Sequence, residues 1–482
     1  MSPRSPSVPD CEPEPASPLI DSTAEWLRPR LTRASKEELV ALVERLAGGS
    51  EDIAARLDYL TNPNAAAKAL QRRIAAIRNG KRFVAYGETR QVASEIGSIA
   101  ADIRTDVLPQ DPEKAVVLAE KLFCLDQVIF ERADDSDGRI GDELRDACVL
   151  WLDTAAAVRA MKGDAGTDWP AMLYELYQAN DYGIREPLLE EGQRLLHEEE
   201  LRALAAGFEA DARGTLDAAR AGKVERHRVF ASSSAMGLVA RALRDPKLYE
   251  QSILVHSPEP NELQANDIAK QYLACGDGAG ALCWLRVPVG EDTRFERLDL
   301  LDRAYGLLGK QALQIEIRRE LYRRAPGIHS YRALEEVLPA DERGAFRARA
   351  CQDAKTGPHV ATAAELLFAL AEPALAEELI VERSRELDGR NYILLTALVK
   401  MAKANGRLLA AALMWRALLD AILDRGYAKA YGHAAEYLLE LRALNAVLED
   451  YRGHPTHESY ERALLLAHRR KASFWGRLSA AS

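Results

Sequence analysis

The chain has no long apolar run and no paired cysteine motif, which excludes two broad classes of protein. No run approaches the roughly 20 apolar residues of a membrane-spanning helix, and the segment after Met1 is rich in proline and acid rather than apolar. None of the six cysteines forms a Cys-x-x-Cys pair, so a disulfide framework is not indicated. We therefore expect a cytoplasmic protein without a secretory signal, whose cysteines are small buried residues.

Motifs that carry common chemistry are also absent. No glycine-rich loop ends in Lys-Ser or Lys-Thr to hold a phosphate, and no Gly-x-Ser-x-Gly segment presents a nucleophilic serine. The glycine-rich segment 276–280 follows a helical pattern rather than a strand, which is the wrong context for a dinucleotide. His454 and His457 have no further ligand at helical spacing. The sequence therefore predicts no catalytic constellation, no metal site and no cofactor, and the protein is expected not to be an enzyme.

Composition and helix signals predict an all-α protein. Hydrophobic residues make up 48% of the 482, and the net charge of −10 argues against wholesale coating of nucleic acid while allowing a local basic site. Ser35 and Glu38 form a capping box ahead of an apolar helical face, with Gly48 as the expected left-handed cap. Other expected helix starts are Asp111-Pro112, Asp168-Trp169-Pro170, Asp245-Pro246 and Pro260-Asn261. The helix from Pro112 is expected to reach about Arg132, and a short one is expected from Ser50 to Leu60.

A spacing of four, five and four residues recurs in the second half of the chain. Its two full copies and one partial copy are Tyr272, Gly276, Ala281 and Leu285; Ala402, Gly406, Ala411 and Trp415; and Tyr305 with Gly309. Gly276 and Gly309 lie 33 residues apart. A period in the thirties is typical of stacked helical hairpins, because one hairpin cannot bury its apolar face alone. The pattern fades near residue 340, and weaker copies are predicted at Phe368 with Ala376 and at Tyr437 with Leu441.

The recurring positions have a packing interpretation. A small residue, such as Gly276 or Gly406, is expected where helix backbones touch, and a large residue fills the groove beside it. This spacing resembles the tetratricopeptide repeat, which implies a superhelix (solenoid) of helical hairpins. We predict a disordered proline-rich leader at 1–18, an N-terminal helical domain at 19–165 and the α-solenoid at 166–478.

Two charged clusters are candidate sites. The acidic turn contains Asp134, Asp135, Asp137 and Gly138. It lacks the first and twelfth ligands of a calcium loop, which favours caps for the next helix over a metal site. The basic segment holds Lys68, Arg72, Arg73, Arg78, Lys81 and Arg82, with no acid between Tyr59 and Gly87. A basic helix face of this kind is typical of a phosphate-backbone or acidic-partner site, and also of a solvated surface.

Two short stretches resemble landmarks of a known bacterial family. They are Arg132-Ala133-Asp134-Asp135-Ser136-Asp137-Gly138 and His468-Arg469-Arg470-Lys471-Ala472-Ser473-Phe474-Trp475. They resemble an all-helical family known only as a domain of unknown function, which is similar to helical regions that follow SWIM-type zinc fingers. The SWIM cysteine and histidine ligands are absent here, so the resemblance implies a shape and no activity.

These observations favour a cytoplasmic interaction scaffold that binds a partner protein or peptide in a helical-repeat groove. One alternative is a nucleic-acid-binding repeat protein that uses the segment from Lys68 to Arg82. Another is a metal-dependent enzyme that uses Asp134, Asp135 and Asp137. No membrane partner is expected.

Overall fold

A computed structural model describes residues 31–49, 63–163, 166–221, 227–286, 290 and 294–481. Over these ranges the regular elements are helices, and one isolated parallel bridge joins Val84 to Ala133. The predicted all-α class is therefore confirmed for this part of the chain. None of its helices is long and apolar enough to cross a membrane. The predicted leader at 1–18 and the predicted helix from Ser50 to Leu60 lie outside the described residues.

The chain divides into two compact units, which meet in sequence between Pro258 and Glu259. The helices of the first unit are α1 (Lys36–Gly48), α2 (Pro63–Asn79), α3 (Thr89–Asp102), α4 (Pro112–Phe123), α5 (Asp126–Ile129), α6 (Arg139–Lys162), α7 (Trp169–Gln178), α8 (Glu186–Glu190), α9 (Glu198–Arg220), α10 (His227–Ala242) and α11 (Pro246–His256). A π-helical turn, Ile103–Val107, continues α3.

The first unit has one hydrophobic core that runs from Ala66 on α2 to Val239 on α10. Trp151 on α6 is fully buried beside Phe123, with the two ring centroids 6.5 Å apart in an edge arrangement. Trp169 on α7 belongs to the same core. The boundary predicted at 165 and 166 falls inside this core, so the compact units divide elsewhere.

Most of the predicted helix starts are observed. Ser35 and Glu38 exchange capping-box hydrogen bonds of 3.1 and 2.8 Å. Asp111, Asp168, Asp245 and Asn261 each accept a hydrogen bond from the third backbone amide of the following helix. These caps satisfy amides that have no partner within the helix, which is why the short polar side chains mark the starts.

Two predicted helix ends are wrong. The helix from Pro112 ends at Phe123 rather than near Arg132, and the short α5 follows after a turn at Cys124. The break places Asp126 in the core, where it meets Arg185. Helix α1 runs through Gly48, and its capping residue is Gly49 in a right-handed conformation, with φ of −102°. Gly48 therefore does not supply the left-handed cap.

The second unit is also helical. Its helices are α12 (Glu262–Ala274), α13 (Gly278–Trp284), α14 (Arg294–Leu307), α15 (Gln311–Arg324), α16 (Ile328–Val337), α17 (Ala340–Thr356), α18 (Val360–Ala369), α19 (Pro373–Glu382), α20 (Tyr392–Ala404), α21 (Leu408–Arg425), α22 (Tyr431–Asn445), α23 (His457–His468) and α24 (Ala472–Ala481). Several consecutive helices pack on each other across short turns, and α18 packs on both α19 and α20. Near the chain end Phe474 is fully buried, and Trp475 Nε1 donates to the His468 carbonyl at 3.0 Å.

The marker glycines end helices in a left-handed conformation. Gly276, Gly309 and Gly406 have φ of 79°, 62° and 69°. In each turn the next residue's amide bonds back five positions, as Lys310 does to the Tyr305 carbonyl at 2.9 Å. A side chain is disfavoured there by φ alone, because a Cβ at these glycines would meet nothing within 4 Å. The predicted reason, that backbones touch at Gly276 and Gly406, is therefore wrong.

Close approach occurs at a neighbouring glycine. A Cβ added to Gly280 would lie 2.2 Å from Tyr272 Cδ1, so the Tyr272 ring packs directly on the start of α13. Ala281 and Ala411 are fully buried, Leu285 is buried, and Trp415 stacks on Tyr437 with centroids 4.5 Å apart. Gly280 thus admits an aromatic ring, whereas a Cβ at Gly278 would lie 2.8 Å from the backbone carbonyl oxygen of Ala304 on α14.

Two further turns have the same geometry without glycine. Arg244 and Ala371 have φ of 52° and 55°, and Asp245 and Glu372 donate five positions back, at 2.9 Å in each case. In the later turn the spacing of four and five residues starts at Leu367, one residue before the predicted Phe368. Its third position is Ala376, as predicted. Tyr437 and Leu441 both lie within α22, so no such turn follows Tyr437.

A further left-handed turn of this kind, at Gly426, stands only 20 residues after Gly406, and there the Tyr427 amide donates to the Ile422 carbonyl at 3.2 Å. The other five left-handed turns follow a regular spacing. They stand 32, 33, 62 and 35 residues apart, at 244, 276, 309, 371 and 406. The gap of 62 equals two units of 31, which places one missing turn near residue 340. The turn there, between α16 and α17, contains Leu338 and Pro339 in extended conformations instead.

Replacing Ala371 by glycine is expected to stabilise the second unit by about 1 kcal/mol, because the alanine side chain is strained at φ of 55°. Urea unfolding measures the change. Ala417→Gly, inside α21, is the control and is expected to destabilise by about 1 kcal/mol through the lower helix propensity of glycine. Equal losses in both variants would contradict the assigned strain at Ala371.

Candidate partner-binding groove

The irregular turn near residue 340 borders a groove of the second unit that is lined by apolar and charged side chains. The groove has a volume of about 640 Å³ and lies against α15, α16 and α17. Its lining comes from Arg319, Tyr322 and Arg323 on α15, Pro326 in the next turn, Leu334 on α16, Leu338 in the irregular turn, and Glu342, Ala345, Phe346, Arg349, Asp353 and Thr356 on α17. We refer to it as the Tyr322 groove.

Aromatic side chains support the floor of the Tyr322 groove. Phe346 stacks on Tyr331 with centroids 4.8 Å apart and ring planes 10° apart, and Tyr322 meets Phe346 edge-on at 5.2 Å. Leu334 and Leu338 are buried beside them in the same small cluster. Burial raises the pKa of Tyr331, whose hydroxyl donates to Glu335 at 2.9 Å. The floor is therefore built from rings that are already held in place.

The hydroxyl of Tyr322 differs from that of Tyr331 in its hydrogen bonding. Tyr322 is 8% exposed, and among the described residues its hydroxyl has no hydrogen-bond partner. Burial, with a contribution from the Asp353 carboxylate, raises the pKa of Tyr322 to about 12. A buried hydroxyl without a partner costs on the order of 1–3 kcal/mol. The oxygen is closed off from solvent, so a bound group recovers part of that cost only when the Tyr322 side chain turns toward the groove.

Three arginines form the rim of the groove. The side chains of Arg319, Arg323 and Arg349 are 55%, 69% and 80% exposed. Arg319 contacts Glu342 at 2.6 Å, and Arg323 contacts Glu320 at 2.7 Å. Arg349 lies 3.5 Å from Asp353. Each guanidinium has five N–H donors and one neighbouring carboxylate, so donors remain for an acidic group.

The predicted basic segment is split by the structure. Lys68, Arg72, Arg78, Lys81 and Arg82 are exposed. Arg73 is half-buried and binds inside the first unit: its Nε contacts Glu95 at 2.7 Å and its Nη1 contacts Asp102 at 2.6 Å. The Glu95 hydrogen bond, with Asp102, raises the pKa of Arg73. Arg73 therefore has a structural role and is removed from the predicted binding set.

The acidic turn caps a helix. Asp135 accepts from the amides of Ile140 and Gly141, both at 2.9 Å. Asp137 pairs with Arg139, and Asp134 accepts from Ser136. Gly138, with φ of 73°, precedes the first residue of α6. The three carboxylates thus serve three different partners, and the described residues contain no group of three potential ligands for a metal ion.

The structure brings the two charged segments together, which the sequence did not indicate. Val84 and Ala133 form the parallel bridge, in which the Val84 amide donates to Arg132 at 2.8 Å and the Asp134 amide donates to Val84 at 2.9 Å. The loop after α2 is therefore fixed to the acidic turn that precedes α6.

The cysteines differ from the expectation that all are buried. Cys148 is buried, which raises its pKa well above the usual value, and burial raises the pKa of Cys124 to about 11. Cys275 and Cys283 are exposed, beside the turn at Gly276. No disulfide joins the five cysteines of the described chain.

Sequence reasoning missed the Tyr322 groove. Tyr322, Leu334 and Phe346 stand at ordinary helical positions and form no motif. The only signal was indirect: the repeat lost its glycine near residue 340, and the groove lies at that interruption.

Comparisons with known proteins give a family and nothing more specific. A family model described as a family of unknown function (DUF6880) matches residues 36–477. No curated protein and no solved structure matches the chain.

Proposed function

The chain belongs to the DUF6880 family of unknown function, and we propose that it is a cytoplasmic interaction scaffold that binds a segment of a partner protein in the Tyr322 groove. The observation that carries this proposal is the combination of an apolar aromatic floor, a buried hydroxyl without a partner and a rim of three exposed arginines. The proposed role is binding rather than catalysis.

The helical hairpins support a repeat architecture for the second unit. Five of the left-handed turns recur about every 31–35 residues when the irregular turn is counted, and neighbouring hairpins pack on each other. A tetratricopeptide-like superhelix is the arrangement that we propose from this spacing. A relation to the helical regions that follow SWIM zinc fingers stays a prediction.

The chemistry of the groove defines the partner segment. An aromatic or aliphatic side chain matches the floor formed by Tyr322, Leu334 and Phe346, because apolar burial is the main source of affinity. Carboxylates beside that anchor match the arginines of the rim, since charge-assisted bonds to guanidinium groups are strong and directional. The expected ligand is therefore a short acidic peptide segment with one apolar anchor.

Selection from a peptide library displayed on phage tests this proposal. Selected peptides are expected to contain an apolar anchor flanked by aspartate or glutamate. The double variant Arg323→Glu and Arg349→Glu is expected to bind them at least tenfold more weakly, because it reverses the charge of the rim. Tyr322→Phe is expected to lower affinity without changing the salt dependence of binding.

The matched control is the double variant Arg385→Glu and Arg390→Glu, which makes the same charge change at exposed positions of the second unit outside the groove lining. It is expected to bind the selected peptides like the unmodified chain. Selected peptides that bind both double variants equally, or that are basic, would contradict the proposal.

A further inference from the structure

A basic helix face in the first unit presents positive charge without neighbouring acids on the same helix. Lys68, Arg72 and Arg78 are exposed on α2, and no acidic residue occurs in this helix. The opposite side of α2 packs Leu70 and Ile74 into the core, with exposed fractions of 2% and 3%. Because the other half of α2 is buried, the three cations lie on its exposed half, spread over about 120° around the helix axis. We refer to Lys68, Arg72 and Arg78 as the basic face.

None of these three cations has an ion-pair or hydrogen-bond partner in the part of the chain that the structure describes. This distinguishes them from Arg73, which Glu95 and Asp102 hold, and from Arg82, which pairs with Glu88.

Two exposed aromatic rings follow the basic face in the next loop. Phe83 and Tyr86 are 58% and 45% exposed. Between them Val84 is 9% exposed, and its backbone bonds at 2.8 and 2.9 Å attach it to the turn before α6. Because the loop is fixed at Val84, the neighbouring ring of Phe83 is held at the surface. The two exposed rings, three residues apart in one loop, offer flat apolar surface that a ligand can cover.

A groove beside this loop is lined by two more arginines and by Glu95, which pairs with Arg73. Its volume is about 820 Å³, and Arg90 and Arg132 are among its lining residues. Arg132 donates to the carbonyls of Ile77 and Arg82, which fixes its guanidinium at the end of α2. Its Nε is buried and has no partner among the described residues. Arg90 is exposed at the start of α3.

We infer that the first unit binds single-stranded nucleic acid across the basic face and the loop that carries Phe83 and Tyr86. Phosphates contact Lys68, Arg72 and Arg78, and the bases stack on the two rings. Basic grooves lined with exposed aromatic residues bind single strands in this way, because every base has a flat face that a ring can cover. The paired bases of a duplex are not available for such stacking. Glu131 and Asp134 are exposed near this loop and limit the site on that side.

Fluorescence anisotropy with a labelled 20-nucleotide oligomer of mixed sequence tests the inference on the full chain. Affinity is expected to fall steeply with salt, because bound phosphates release counterions. The triple variant Lys68→Glu, Arg72→Glu and Arg78→Glu is expected to bind at least tenfold more weakly and to have a shallower salt dependence. Phe83→Ala and Tyr86→Ala are each expected to weaken binding about tenfold while the salt dependence stays unchanged.

The matched control is Arg202→Glu, Arg213→Glu and Arg220→Glu, which makes the same charge change at exposed positions on α9. Circular dichroism verifies that all variants keep their helix content. The inference is overturned if the control loses as much affinity as the basic-face variant, or if the duplex of the same sequence binds as tightly. It is also overturned if polyglutamate competes as well as the oligomer and the ring variants have no effect.

Discussion

Replacing Asp126 by alanine is expected to destabilise the first unit by about 3–5 kcal/mol, because it leaves a buried guanidinium without its counterion. Arg185 and Asp126 are only 2% and 1% exposed, and they form two parallel contacts of 2.8 and 2.9 Å. Arg185 also donates to the Leu176 carbonyl at 2.8 Å and lies 5.4 Å from the centre of the Phe123 ring. An unpaired charge in these surroundings can be neither solvated nor neutralised by titration.

Urea unfolding measures the loss, and hydrogen exchange localises it to the first unit. The control is Asp153→Ala, which removes the partly exposed partner of Arg194 at 3.0 Å and is expected to cost no more than about 1 kcal/mol. The double variant Asp126→Leu and Arg185→Met removes both charges and is expected to recover much of the stability. If the double variant were as unstable as Asp126→Ala, the loss would come from packing rather than from the unpaired charge.

Replacing Gly389 by alanine is expected to destabilise the second unit by at least about 3 kcal/mol, the upper end of the usual cost of overpacking. A Cβ at this position would lie 1.9 Å from the Ala417 carbonyl oxygen and 2.7 Å from the Ala421 Cβ. Both atoms belong to α21, so the clash is with a helix backbone rather than with the end of a flexible side chain. The segment before α20 has to move away from α21 to accept the methyl group.

The matched control is Gly344→Ala within α17, where an added Cβ meets nothing within 4 Å. That substitution is expected to stabilise by up to about 1 kcal/mol, because alanine has the higher helix propensity. Thermal unfolding of the two variants is expected to shift in opposite directions. A Gly389→Ala variant as stable as the unmodified chain would contradict the close approach of the segment before α20 to α21.

The two proposed binding surfaces differ in how they relate to the sequence pattern. The Tyr322 groove occurs where the hairpin period loses its left-handed turn, and Leu338 and Pro339 replace it. The basic face was visible as an acid-free segment, but its aromatic partners are defined by the loop that the Val84 bridge fixes. The two surfaces belong to different units, so the failure of one proposal leaves the other unchanged.

The all-helical class, most helix starts and the turn glycines Gly276, Gly309 and Gly406 could be predicted from the sequence. These are local properties: Asp111 and Asp245 cap amides three residues away, and Gly276 needs only its own positive φ. The tertiary structure determines that Arg73 and Arg185 are internal while Lys68 and Arg72 are exposed. The partners of Arg73 and Arg185 lie 22 to 59 residues away in the chain, so local sequence does not reveal them. The tertiary structure also decided the Tyr322 groove, since a groove is the space left between three helices and has no signature in any one of them.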